Sequence, residues 1–335
     1  MAYSVIIEKK GRSVKQLKTH YYRENEYDLE NRLQTVLGDS HRITVSKKIP
    51  GDIEVLVLAY PTKEKLSIAP NLRYLIVPFV GIPEETRVLL QKYPDIKVFN
   101  IHHNSRVVAE TVMAMLLTGI KHIIQGDREF RTHDWSFRYG INPSTLLYQK
   151  RILICGFGHI GKLLASFLEP YQIVIDKIKR NNLDAEQGVY FLADLPNIVE
   201  NYDIVINILP ATEETKQVFD QAVFARMKPS CYFINVGRAS TVEESALFSA
   251  LNEKRIAGAA LDVWYNYPIS EADRKNTPPA NYPFHTLDNV IMSPHRAGGL
   301  GMAENEEFRI EELTKLLTRM LNNPDLEGLD LGLGY

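Results

Sequence analysis

The chain has 335 residues, more than one hydrophobic core ordinarily organises and enough for two domains. Apolar residues make up 45% and charged residues 24%, and the formal charge is −2. This is the composition of a globular protein, with no basic field for nucleic acid or an anionic membrane surface. No apolar run reaches the roughly 18 residues that a bilayer crossing needs. The first twenty residues mix charges with short apolar runs, unlike a secretory leader, so the expected setting is the cytoplasm.

In chain order, short apolar stretches alternate with helical ones, which predicts parallel sheets in an α/β architecture. Candidate strands fall at 53–59, 74–80 and 96–101. One long helix is expected over 105–131, where Val107, Val108, Thr111, Val112, Met115, Leu116 and Ile120 recur at helical spacing. Residues 132–148, with Gly140 and Pro143, read as a connection. A second series follows, with strands at 151–156, 173–178, 204–209, 231–236, 258–263 and 290–293, and a closing helix over 302–322. Pro278, Pro279 and Pro283 mark an irregular stretch, 269–285, of a length that loops often owe to function. Cys155 and Cys231 each sit inside an apolar strand run, which points to buried, reduced thiols and to neither a disulfide framework nor a zinc site.

The strongest local signal is Gly156-Phe157-Gly158-His159-Ile160-Gly161, preceded by the apolar run 151–155 and followed by a helical pattern. In that setting the glycines make a tight turn, let backbone approach a pyrophosphate, and allow close helix–strand packing. The helix N-terminus offers unpaired N–H groups to phosphate. A nicotinamide dinucleotide is therefore expected at this turn. Asp176, about twenty residues on, has the spacing of a ribose-binding acid and would favour NAD. The apolar run continues to Ile178, however, so Lys179 and Arg180 stand at the strand end and favour NADP. NADP is preferred over NAD on this ground.

Several segments together resemble the D-isomer-specific 2-hydroxyacid dehydrogenase family. They are Ser105-Arg106-Val107-Val108-Ala109-Glu110, the glycine turn, Leu209-Pro210-Ala211-Thr212-Glu213-Glu214-Thr215, Ile234-Asn235-Val236-Gly237-Arg238-Ala239, Ala260-Leu261-Asp262-Val263, and Ser293-Pro294-His295-Arg296-Ala297-Gly298. The resemblance implies a Rossmann-type doubly wound domain, 104–299, inserted into a smaller flavodoxin-like α/β substrate domain, 1–103 with 300–335. It implies a cleft site between them and a homodimer, for which Phe130, Trp135 and Phe137 are candidate interface residues. It further implies cofactor contacts from Leu209, Pro210, Thr215, Val236, Gly237, Arg238, Asp262, His295, Ala297 and Gly298. Val80 and Gly81 would form a substrate loop. Metal binding by the neighbouring His102 and His103 is not expected, since adjacent histidines lack the usual partners.

Oxidation of a 2-hydroxy acid moves a hydride to nicotinamide while a base takes the hydroxyl proton. Histidine exchanges that proton near neutral pH, and a guanidinium fork holds the carboxylate. Arg238 and His295 both follow apolar strands, where open α/β sheets bind ligands. One position departs from the family pattern. The segment Asp262-Val263-Trp264-Tyr265-Asn266-Tyr267-Pro268 places Tyr267 where the resemblance implies a glutamate that pairs with the histidine. Three accounts stay open. Tyr267 orients His295 while Glu271 or Asp273 substitutes for the acid; His295 works largely neutral, with an altered pH optimum or substrate; or the chain is a weak or inactive NAD(P)H-binding regulator.

Overall fold

A computed structural model describes residues 16–141, 143–180 and 187–331. The chain divides into two compact units, Met1–Asn104 with Met302–Tyr335, and Ser105–Gly301.

The first unit carries β1 (Leu17–Tyr21), α1 (Leu29–Leu37), β2 (His41–Val45), β3 (Val55–Val57), α2 (Lys63–Ser67), β4 (Tyr74–Val77), α3 (Glu84–Leu90) and β5 (Lys97–Asn100). Its sheet is parallel, in the order β2-β1-β3-β4-β5, the flavodoxin-like sequence of strands. The central strands β3 and β4 are apolar and buried along their whole length, as strands covered on both faces must be. The closing helix, Ala303–Asn322, sets Ile310, Leu313, Leu317 and Met320 at helical spacing into the core shared with Leu29 and Leu33. Strands β1 and β2 were not expected from the sequence, because polar residues interrupt their apolar pattern. Among them the buried His20 is partnered: Nδ1 meets Thr44 Oγ1 at 2.8 Å and Nε2 meets the Ser46 carbonyl at 3.1 Å.

The second unit carries α4 (Ser105–Ile120), α5 (Ile123–Arg131), α6 (Ser136–Tyr139), β6 (Arg151–Cys155), α7 (His159–Leu168), β7 (Val174–Ile178), β8 (Val189–Tyr190), α8 (Leu195–Ile198), β9 (Ile204–Asn207), α9 (Gln221–Arg226), β10 (Tyr232–Asn235), α10 (Glu244–Asn252), β11 (Gly258–Leu261) and β12 (Val290–Met292). Its parallel sheet runs β12-β11-β10-β9-β6-β7-β8, the Rossmann order with one further strand. The chain reverses its direction of travel across the sheet between β6 and β9. Ligands bind outside the carboxyl ends of the strands at such a switch point. One face of the sheet packs Phe219, Phe224 and Phe233 with Leu153 and both cysteines; the other packs Val108, Val112 and Leu116 of α4 with Ile152, Ile154 and Ile234.

The single helix expected over 105–131 is two helices, α4 and α5, bent by 62°. His122 at the break has φ 51°, a left-handed conformation that ends α4. The apolar period that suggested one helix belongs to α4, whereas α5 buries no side chain. Among the described residues no single helix is long and apolar enough to cross a membrane.

Candidate active site

The glycine turn links β6 to α7 at the switch point. Gly156 has φ 97°, and a Cβ there would lie 2.9 Å from the Ile208 carbonyl oxygen, so both conformation and space require glycine. A Cβ on Gly161 would stand 2.7 Å from the Gly156 carbonyl oxygen, which sets how closely α7 packs on the turn. Gly158 is the N-cap of α7, has no side-chain cap, and shows nothing within 4 Å of where its Cβ would be. Its neighbour His159 is exposed at the first position of the helix, while Ile160 packs into the sheet's core. An uncapped helix N-terminus beneath open space fits the pyrophosphate of a dinucleotide.

Asp176 does not stand at the end of β7. It is 6% exposed, accepts from Arg151 Nη2 at 2.9 Å, and accepts from the Tyr202 hydroxyl at 2.8 Å. Strand parity explains this, since Asp176 shares its inward face with Ile178. The strand ends at Ile178, and Lys179 and Arg180 follow it directly. Lys177 and Lys179 lie over the Phe157 ring at 4.9 and 5.6 Å, and Arg180 reaches Glu214 at 3.1 Å. The basic side chains thus flank the glycine turn, whereas the acid is engaged inside the sheet.

Two asparagines missed by sequence reasoning shape the neighbouring loops. Asn207 closes β9 and Asn235 closes β10; Asn207 Nδ2 donates to Asn235 Oδ1 at 3.1 Å and to Thr241 Oγ1 at 2.7 Å. Their side-chain oxygens accept from the backbone N–H groups of Leu209 and Gly237, each at 3.1 Å. A Cβ on Gly237 would stand 2.5 Å from the Leu209 carbonyl oxygen, so the loops after β9 and β10 touch. Val236 is buried between them in sequence. Thr215 is also buried, and its hydroxyl donates to the Pro210 carbonyl at 2.5 Å. It fixes the course of 210–215. The signal available in the sequence was an asparagine at the end of each of two successive strands.

Arg238 follows β10 and is exposed, with Nη1 donating to the Gly237 carbonyl at 2.7 Å. His295 follows β12 with φ 55°, another left-handed residue, and its loop is held by Asp262. That buried carboxylate accepts from Ser293 Oγ, from the Arg296 N–H at 2.9 Å and from the Ala297 N–H at 3.0 Å. Gly298 completes the same turn. Tyr267 Oη and His295 Nδ1 are hydrogen-bonded at 2.8 Å, and the Trp264 N–H donates to the same phenol oxygen at 3.1 Å. Trp264 Nε1 in turn donates to the Ser293 carbonyl at 2.7 Å, which ties the tyrosine and histidine loops together. Loss of hydration lowers the His295 pKa below the ordinary 6.5; the Asp262 charge opposes this and the Arg238 cation adds to it. Partial loss of hydration at the half-exposed Tyr267 raises its pKa above 10, against the Trp264 N–H and Arg238, so the phenol keeps its proton.

Neither acid considered as a substitute serves the histidine. Glu271 is paired with Arg274 at 2.7 Å, and Asp273 accepts from Ser270 Oγ at 2.6 Å, both in an exposed turn. Val80 and Gly81 belong to the first unit and follow β4, where Asn100 Nδ2 donates to the Val80 carbonyl. His103, in the same unit, is buried against the Arg309 guanidinium, Nε2 to Nη2 3.2 Å; burial and that cation hold its pKa at about 3. Among the described residues no three His, Cys, Asp or Glu side chains gather as a metal site.

Residues 113–297 match the family described as "D-isomer specific 2-hydroxyacid dehydrogenase, NAD binding domain". The chain is 31% identical over 248 residues to a glyoxylate reductase of Thermofilum pendens, an alignment covering 70% of this chain and 68% of the relative. It is 32% identical over 209 residues to a glyoxylate/hydroxypyruvate reductase B of Citrobacter koseri, covering 60% of each. A solved structure of a D-isomer-specific 2-hydroxyacid dehydrogenase from Xanthobacter autotrophicus, in complex with NADPH and MES, shares the fold with a TM-score of 0.76. Its identity is 22%, and the match covers 96% of this chain and all of that one. The protein belongs to the D-isomer-specific 2-hydroxyacid dehydrogenases, a family of NAD(P)-dependent oxidoreductases.

Proposed function

We propose that the protein reduces a small 2-keto acid to the 2-hydroxy acid, or runs the reverse oxidation, with a nicotinamide dinucleotide held at the glycine turn. The observation that carries this reading is His295, fixed by the Asp262 loop and by Tyr267 within the electrostatic reach of Arg238. When bound, the dinucleotide supplies or accepts the hydride. The Arg238 guanidinium holds the substrate carboxylate and polarises the reacting oxygen. His295 exchanges the oxygen's proton through Nε2, which has no partner among the described residues. Tyr267 orients the ring in either protonation state, because its oxygen accepts from Nδ1–H, which the ring carries whether Nε2 is bare or protonated. Asp262 and Trp264 are positioning residues. We assign cofactor contact to the turn 156–161 and to the loops carrying Leu209, Pro210, Val236, Gly237, Ala297 and Gly298, and substrate contact also to Val80 and Gly81.

NADP is the favoured cofactor, supported by Lys179 and Arg180 at the end of β7 and by the engagement of Asp176 elsewhere. The named relatives support glyoxylate or a similarly small keto acid. The cytoplasm is the favoured setting, supported by two free, buried cysteines. A homodimer is supported by exposed apolar side chains after α4, among them Phe130 and Trp135, which pack edge to face at 4.7 Å. Phe137, also expected there, instead lies over Gly126. The regulatory alternative gains no support from a site that holds both Arg238 and a fixed His295.

The test is cofactor oxidation with a panel of small 2-keto acids. NADPH consumption is expected with glyoxylate, falling at least a hundredfold in Arg238→Ala and in His295→Ala. Tight NADPH binding without turnover at any pH would support the regulatory binder instead. Tighter binding of NADH than of NADPH would remove the argument from Lys179 and Arg180.

A further inference from the structure

The groups facing His295 among the described residues are one cation, Arg238, one carboxylate, Asp262, and the Tyr267 phenol. The carboxylate is engaged by Ser293 Oγ and two backbone N–H groups, and the histidine ring bonds the phenol instead. Glu271 and Asp273, close in sequence to Tyr267, are held by Arg274 and Ser270. An imidazole with a phenol partner and a nearby guanidinium lacks the paired anion that would keep it charged. A ketone needs a proton on its oxygen as hydride arrives at carbon, so a neutral histidine serves it poorly near pH 7. An iminium carries its proton already. Its positive charge is repelled by an imidazolium and tolerated by a neutral ring, while the Asp262 carboxylate offsets the Arg238 cation, which pairs with the substrate carboxylate.

We infer that the Arg238–His295–Tyr267 cluster also reduces 2-imino acids, taken as the N-protonated iminium, faster near neutral pH than the corresponding 2-keto acids. The inference rests on the hydride-transfer reading of the same site. The balance is complete without a proton from the protein. The iminium carbon takes one hydride, the C=N π pair becomes the nitrogen lone pair, and the amine leaves as the two electrons are lost by NADPH, which ends as NADP⁺. Arg238 holds the carboxylate as it would for a keto acid. Tyr267 acts by keeping His295 in place and uncharged.

Two measurements test this. In the cofactor-free protein with ¹⁵N-labelled histidine, NMR titration is expected to show His295 neutral at pH 7, with Tyr267→Glu raising its midpoint by at least one pH unit. In turnover, NADPH oxidation with pyruvate at pH 7.5 is expected to rise at least tenfold when methylamine is added, with N-methylalanine as the product by mass spectrometry. Tyr267→Glu is expected to lose at least tenfold of that preference. Tyr267→Phe, which keeps the ring uncharged, retains the preference even if both rates fall. A charged His295 at pH 7 in the unaltered protein, or equal rates with and without methylamine, would overturn the inference and leave the keto-acid reading standing. No oxidation with either substrate overturns both.

Discussion

At His295 the local chemistry sets the direction of the pH response. Its folded pKa lies below the ordinary 6.5, so near pH 7 the ring is neutral. Oxidation of a hydroxy acid uses the neutral ring and reduction uses the protonated one. Reduction of a keto acid is therefore expected to slow as pH rises through a midpoint below 6.5, and oxidation to rise through the same midpoint. Plots of kcat/KM against pH in the two directions check this; a reduction limb that holds to pH 8 would contradict it. His103 gives a parallel stability effect in the other unit. Its folded pKa of about 3 lies well below 6.5, so the unfolded chain binds the extra proton between those values. Stability contributed by the neutral ring is present above about pH 6.5 and declines as pH falls toward 3. Urea unfolding across that window is expected to show the loss, on the order of a few kcal/mol, and His103→Gln to flatten it. Asp262 adds a residue-scale test of positioning. Asp262→Ala leaves three donors unpaired, at about 1–3 kcal/mol for each that stays buried, and is expected to lower kcat well beyond its effect on folding.

At the scale of elements, the glycine turn and the strand ends were legible, because three glycines set between an apolar strand and a helix serve needs of turn and close packing that other residue types cannot meet. Gly156→Ala must adopt a positive φ and crowd the Ile208 carbonyl. NADPH affinity is expected to drop at least tenfold with a stability loss of about 1–3 kcal/mol, read by calorimetry and urea unfolding. Asp176 was open to misreading because spacing alone ignores parity; one residue's shift along a strand moves a side chain to the other face. Strands β1 and β2 escaped because His20, a polar residue inside the sheet, is paired to partners about 25 residues away. The break between α4 and α5 escaped because His122 adopts a conformation that its residue type does not advertise. Asn207 and Asn235 were overlooked for a related reason: their value lies in bonds to each other across adjacent strands. The core itself followed the apolar pattern. Phe233, fully buried between Phe219 and Phe224, is expected to cost about 3–5 kcal/mol when cut to alanine.

For the whole molecule, two parallel-sheet units were foreseen from length and the alternation of strand and helix, and the resemblance supplied the family. Assembly is argued from the segment after α4, where Ile123, Phe130, Trp135, Ile141 and Leu146 are all more than half exposed. Sedimentation is expected to give a dimer, and the pair Phe130→Glu with Trp135→Glu to give a monomer. The proposed reaction is hydride transfer at the carboxyl edge of the Rossmann sheet, served by Arg238 and His295. Its most direct test is the fate of the hydrogen. With NADPH deuterated at both positions of nicotinamide C4 and glyoxylate as substrate, glycolate is expected to carry one deuterium on C2, with label transfer slowed at least a hundredfold in Arg238→Ala. Cofactor oxidation that leaves no deuterium in the product would contradict it.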